Sequence, residues 1–172
     1  MIEYLLDLTT LITLISDICN DPNISTRFGQ LEDWKMENKS IYEHIIDEKE
    51  NPVISKIKEK IKDDKLLTTT PVWKKFTDMI TRFGSREEIK RMEQMNVHVI
   101  DDDQDEVIIF PHTRMWTEES RSIYGTATRH KYWIITGNIS VLKEALKYNE
   151  DLKYIAHRSR CFVGNKHEKK ID

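Results

Sequence analysis

Along the chain, short apolar runs alternate with stretches in which apolar residues recur every three or four positions. That alternation predicts a parallel sheet covered by helices. Tyr4 to Leu6 read as a first strand. A helix follows, capped by Asp7 or Thr9, with Leu11, Leu14, Ile15 and Ile18 on its buried side and a break at Asp21-Pro22-Asn23. Leu31 to Asp64 is charged and helical, dividing into two helices at Asn51-Pro52. Leu66 to Thr69 read as the second strand, with Thr70 as N-cap and Pro71 at the first helical position, where its missing N–H costs nothing. Val72, Phe76, Met79, Ile80 and Phe83 then form one helical stripe. Gly84 ends that helix, and Ser85 with Glu88 makes a capping box for the next.

"VHVID" (97–101) is a third strand running into the acidic turn "DDDQDE", and Val107 to Phe110 read as a short extra strand. A helix from Thr117 to His130 precedes "YWIITGN", the clearest strand in the chain; "ISVLKEALKY" is a last helix and "KYIAH" a fifth strand. The expected fold is a three-layer α/β sandwich with a mostly parallel five-stranded sheet in the order 3-2-1-4-5. The 172 residues are expected to form a single domain.

Charge narrows the function only a little. A net charge of −3 argues against strong overall attraction to nucleic acid but is compatible with a local basic patch. The longest apolar run falls short of the ~20 residues that span a bilayer, so no membrane association is expected. "MIEYLLDLTT" has no basic n-region, so no signal peptide is expected, and the predicted location is intracellular, cytoplasmic or nuclear. Cys19 and Cys161 match no metal spacing and are expected to be reduced thiols.

Three strand-to-helix connections begin at polar residues: Asp7 with Thr9 and Thr10, Thr68 to Thr70, and Thr136-Gly137-Asn138. Open α/β sheets gather ligands outside the carboxyl ends of their strands, where strand order reverses. With the first and fourth strands as neighbours, Asp7 and Asn138 meet there. Asp7 then has two readings. It is a carboxylate that holds Mg²⁺ or Mn²⁺ against a phosphate, or it is the cap of the first helix.

Asp7 ending the first strand, with a helix leading into "YWIITGN" and another behind it, resembles the PIN domain, the fold of many metal-dependent ribonucleases. "LLDLTTLITLIS", "IYGTATRHKYWIITGNISVLKEA" and "HRSRCFVGNK" are most similar to the C-terminal PIN-like domain of a family of uncharacterised eukaryotic proteins. The resemblance implies three or four acids around one or two divalent ions that activate water for attack on a phosphodiester. Asp7 matches the first acid. The helix after the second strand offers Lys74 and Lys75, with only Asp78 a turn later. Ser120, flanked by Glu118 and Glu119, stands where an acid usually begins the helix entering the fourth strand. Asn138 stands where PIN domains carry an acid or an amide, and Thr136 matches a frequent hydroxyl. Asp101 lies at the end of the third strand, two strands from the first.

The acidic set is therefore incomplete. Adjacent helical residues diverge by roughly 100°, so only one of Glu118 and Glu119 faces the site; the resemblance favours Glu119, which is nearer the position that fold uses. The expected catalytic set is Asp7, Glu119, Thr136 and Asn138, with Asp7 and Glu119 as metal ligands; Thr9, Lys74, Lys75 and Arg121 are the expected substrate contacts. With Arg82, Arg86, Lys90, Arg91, Arg129, Lys131, Arg158 and Arg160, and with Trp73 and Trp116 as stacking rings, the basic residues either line an RNA groove or solvate the surface.

His157, Tyr124, Gly125 and Thr126 also match the family. Gly125 is expected to pack closely on the sheet, and Thr126 is a candidate to face the site. There is no GxGxxG, P-loop, GxSxG or zinc spacing among the histidines. Three function classes follow: a PIN-like domain that binds RNA or cleaves it as a metal-dependent ribonuclease of weak or lost activity, a PIN-like scaffold that contacts a protein partner without catalysis, or an enzyme on small phosphorylated molecules. Oligomeric state is not legible.

Overall fold

The computed structural model describes residues 1–29, 36–61 and 64–166. Five parallel strands, β1 (Glu3–Leu6), β2 (Lys65–Thr69), β3 (His98–Ile100), β4 (Trp133–Thr136) and β5 (Tyr154–Ala156), lie in the order β3-β2-β1-β4-β5. This is the predicted order, and it reverses between β1 and β4. Tyr4, Leu5 and Leu6 are consecutive and all buried. Successive strand residues face opposite sides, so both faces of β1 are covered and the sheet is the middle of three layers.

After β1 come α1 (Leu8–Ile15), α2 (Asp17–Asn20), α3 (Ile24–Gly29), α4 (Lys39–Glu50) and α5 (Val53–Lys60). The predicted division at Asn51-Pro52 separates α4 from α5, while residues 31–35 and 62–63 of that predicted stretch lie outside the described residues. The first helix stops before the predicted break at Asp21. Ser16 ends it, because the Ser16 side chain accepts the Ile18 N–H and so starts α2.

Between β2 and β3 lie α6 (Thr70–Phe83) and α7 (Arg86–Glu93). The cap of α6 is Thr69 rather than Thr70, and its hydroxyl bonds Ser122 instead of the helix. Val72, Phe76 and Ile80 are buried as the stripe predicts, but Phe83 is 53% exposed, its ring under the Arg82 guanidinium. Residues 107–110 are irregular rather than a strand. The Asp105 carboxylate accepts the Val107 and Ile108 N–H groups, which folds the backbone into a turn. Phe110 then enters a ring cluster with Trp116, Tyr124 and Tyr148. Finally α8 (Glu118–His130) leads into β4 and α9 (Ile139–Tyr148) into β5.

The segment after β5 runs back along α1 as a strap. Arg160 N–H donates to Thr13 Oγ1, the Ser16 hydroxyl to the Cys161 carbonyl, and Val163 and Gly164 N–H to Glu88. Glu88 is fully buried and also accepts the Ser85 and Asp17 N–H groups, so one carboxylate gathers four backbone donors from α2, α7 and the strap. The Arg160 side chain, itself buried, pairs with Asp47 and Glu48 of α4. Both cysteines are free thiols, and burial pushes Cys161 up to about 11 and Cys19 further in the same direction. No described helix is long and apolar enough to cross a membrane.

Candidate metal and phosphate site

Three helices begin at one pocket. Asp7 caps α1 by accepting Thr10 N–H, Thr117 caps α8 by accepting Ser120 N–H, and Asn138 caps α9 by accepting Val141 N–H. All three caps line a pocket of about 180 Å³ at the carboxyl ends of β1 and β4, together with Thr9, Glu119, Ser120 and Tyr124. Each helix start carries partial positive charge from unpaired N–H groups, so their convergence favours an anion. A larger hollow of about 500 Å³ lies at the other end of α8, beside Tyr132 and Lys153. It is at the amino ends of β4 and β5 and receives none of the predicted acids.

Asp7 is 9% exposed and ties the site together. Its Oδ1 accepts Thr10 N–H at 2.9 Å and the Thr9 hydroxyl at 2.7 Å, while Oδ2 accepts the Thr136 hydroxyl at 2.5 Å. Thr136 Oγ1 in turn accepts Asn138 N–H, and Thr9 Oγ1 accepts Gly137 N–H. The turns after β1 and β4 are thus knitted by side chains, and Asp7 is in fact the helix cap. Glu119 is half-buried in the pocket and has no hydrogen bond or ion pair among the described residues, whereas Glu118 is exposed.

Thr10 Oγ1 lies 2.9 Å from Asp7 Oδ1, 2.7 Å from the Ile135 carbonyl and 2.8 Å from His157 Nε2, and its single proton serves one of them at a time. His157 Nδ1 faces the Arg158 carbonyl at 2.8 Å. A carbonyl only accepts, so Nδ1 carries a proton and the neutral ring presents Nε2 as an acceptor to Thr10. Gly137 is required where the strap meets β4, since a Cβ there would sit 2.9 Å from His157 Cε1 and from Ser159 Cβ.

Burial holds His157 below the ordinary histidine range; the Arg158 hydrogen bond and Asp7 pull it up, and Arg160 pushes it down. The unfolded chain therefore takes up this proton first, near the ordinary value of about 6.5. Stability contributed here is constant above that pH and declines as pH falls below it. Half-buried His44 shifts in the same direction. A Tm series from pH 8 to pH 5 should decline, and His157→Gln should flatten part of the decline; superimposable curves would contradict this assignment.

Fit to a divalent ion follows from the donors present. Two carboxylates and the Asn138 amide share the pocket. No group of three His, Cys, Asp or Glu side chains among the described residues is placed to hold a metal, and His167 lies outside them. Asp7 Oδ1 is crowded, but Oδ2 accepts only Thr136 and Glu119 is unpaired. Such a set suits a hard ion that keeps most of its waters and shares phosphate oxygens, and it does not form a closed protein cage.

Several predicted contacts stand elsewhere. Lys74 and Lys75 are exposed on α6, outside the pocket lining. Asp78 and Asp101 are exposed and also outside it. The Arg121 guanidinium donates to the Trp116 carbonyl, whereas Thr9 does line the pocket, its hydroxyl engaged by Asp7 and Gly137. Trp116 is 2% exposed within the ring cluster, so it offers no stacking face. Of the basic residues, Arg91 pairs with Asp17, Arg129 with Asp103 and Glu106, Arg158 with Asp47, and Arg160 with Asp47 and Glu48.

The open side of Gly125 is turned to the acidic loop. A Cβ there would meet the Gln104 side chain at 2.7 Å, and its carbonyl accepts Asp105 N–H. Thr126 likewise accepts Asp103 N–H and faces the acidic loop rather than the site. That loop is anchored, with Asp103 bonded to His130 and Arg129 and Asp102 to Ser122.

None of the curated proteins matches the chain. Among solved structures it is similar to VapBC2 from Rickettsia felis bound to a DNA fragment from its promoter, at 10% identity and a TM-score of 0.43, covering 91% of this chain and 99% of that one. The model of the family described as "Protein of unknown function (DUF1308)" matches residues 5–170, and the chain belongs to that family.

Proposed function

We propose that the pocket at the ends of β1 and β4 binds a phosphodiester of RNA, with Mg²⁺ or Mn²⁺ held by Asp7 and Glu119. The observation that carries this reading is the meeting of three helix N-termini with the unpaired Glu119 carboxylate in one pocket. The helix starts attract an anion, yet two acids beside them repel one; a cation between acid and phosphate resolves the conflict. Held by Asp7 and Glu119, such an ion would supply neutralisation of the acids and Lewis-acid activation of water. Thr136, Thr9 and Thr10 fix the orientation of Asp7, and Asn138 and Thr117 hold the starts of α9 and α8 against it.

A second reading has its own observation. Asp7 is so fully engaged by hydroxyls and a backbone N–H that it serves as an architectural tie, as in a scaffold whose business is protein contact. Glu119→Gln separates the two, because Glu119 has no partner to lose. In the metal reading, MnCl₂ raises the Tm of the wild-type protein in proportion to the logarithm of its concentration over its Kd. Glu119→Gln should abolish that rise and weaken binding of a single-stranded RNA oligonucleotide, with the metal-free Tm unchanged. Equal responses of the two proteins to Mn²⁺ and RNA would favour the scaffold.

A further inference from the structure

We infer that the Tyr124 hydroxyl is a ligand-facing donor, which binds one oxygen of a phosphate group entering the pocket between the starts of α1, α8 and α9. Resting on the phosphate-binding reading above, this assigns a residue to the recognition step. Tyr124 sits on α8 one turn beyond Ser120 and is 1% exposed. Its hydroxyl is the one buried side-chain polar atom among the described residues without a hydrogen-bond partner. Buried hydroxyls are nearly always paired, because leaving one unpaired forfeits its hydration for nothing.

The surroundings say which partner is missing. The ring lies in the aromatic cluster with Phe110 and Trp116, which fixes its position, and the residue lines the same pocket as Asp7, Glu119 and Asn138. The hydroxyl lies beside Thr136 without a well-formed hydrogen bond to it. Thr136 Oγ1 donates to Asp7 and accepts from Asn138, and its remaining lone pair is the one internal acceptor beside the phenol among the described residues. Burial, with the Asp7 carboxylate adding to it, pushes the phenol well above its ordinary range, so the group is a neutral O–H at any working pH. A neutral donor next to three helix starts fits an anionic oxygen, and it discriminates by geometry without adding charge.

The test is Tyr124→Phe, which keeps the ring and removes only the hydroxyl, with Tyr148→Phe as a control from the same cluster. Binding of a single-stranded RNA oligonucleotide in Mg²⁺ and the Tm rise with inorganic phosphate are measured for each. The expected result is about tenfold weaker RNA binding and a lost phosphate response for Tyr124→Phe, with its ligand-free Tm no lower than the control's. Equal RNA binding by wild type and variant overturns this inference and leaves the RNA reading standing. If wild type ignores RNA but phosphate stabilises it and not the variant, the RNA reading fails and this one holds. No response to either ligand overturns both. A ligand-free Tm for Tyr124→Phe several degrees below the control's reveals an internal partner and overturns the inference alone.

Discussion

Glu88→Gln should lower the Tm on the order of 10 °C without touching the candidate site. The carboxylate accepts Ser85 and Gly164 N–H on one oxygen and Asp17 and Val163 N–H on the other. A glutamine offers one carbonyl oxygen and an NH₂. Whichever way it turns, two buried N–H groups face an NH₂ and go unpaired. Each orphaned donor costs about 1–3 kcal/mol, and for a chain of this length about 1 kcal/mol moves Tm by roughly 2–4 °C. The damage falls on the strap, on α2 and on the start of α7 together. Thermal unfolding of the ligand-free variant checks it, and a loss under about 2 °C would mean that the four contacts carry little of the stability.

Asp7→Ala should be the second most damaging change, by about 3 kcal/mol from the lost cap and the orphaned Thr9 and Thr136 hydroxyls. Asp7→Asn should cost about 1 kcal/mol, because its amide oxygen still caps α1 while the NH₂ meets Thr136 on the other side. The two variants bear differently on the metal. Asp7→Asn keeps the cap and removes the charge, so the Mn²⁺-dependent rise in Tm should vanish. If Asp7→Ala instead raises the metal-free Tm, repulsion between Asp7 and Glu119 outweighs the hydrogen bonds and the tie described here is secondary.

What could be read from the residues was what repeats along the chain. The inner strands β1 and β4 were legible because a doubly covered parallel strand is a near-continuous apolar run, as in "YLL" and "WIIT". The meeting of Asp7, Thr136 and Asn138 followed from strand order; helical geometry allowed only one of Glu118 and Glu119 to face the site, and the family resemblance favoured Glu119. Long-range pairing was not legible. Arg129, Arg158 and Arg160 looked like a basic surface because nothing local announces Asp103, Asp47 or Glu48 as partners. Glu88 read as half of a local capping box, and its bonds to Asp17, Val163 and Gly164 span segments far apart in the chain. Tyr124 and Trp116 were ambiguous for the opposite reason, since an aromatic in a helix or loop carries no mark of whether its polar atom or its face will be used. Val107 to Phe110 had a strand's composition, but Asp105 took the N–H groups that a strand would have offered.

The sheet order also governs when the site comes into being. β1 is the central strand, and its partners arrive late: the Thr10–Ile135 bond spans 125 residues and the Thr136–Asp7 bond 129. Closing such long loops costs entropy before any contact repays it, and folds dominated by distant pairings are slow to form. A chain with β1, β2 and β3 assembled would still have β1 open along one edge, Asp7 without Thr136, and neither Glu119 nor Tyr124 in place. The pocket therefore forms only when the starts of α8 and α9 dock beside β1.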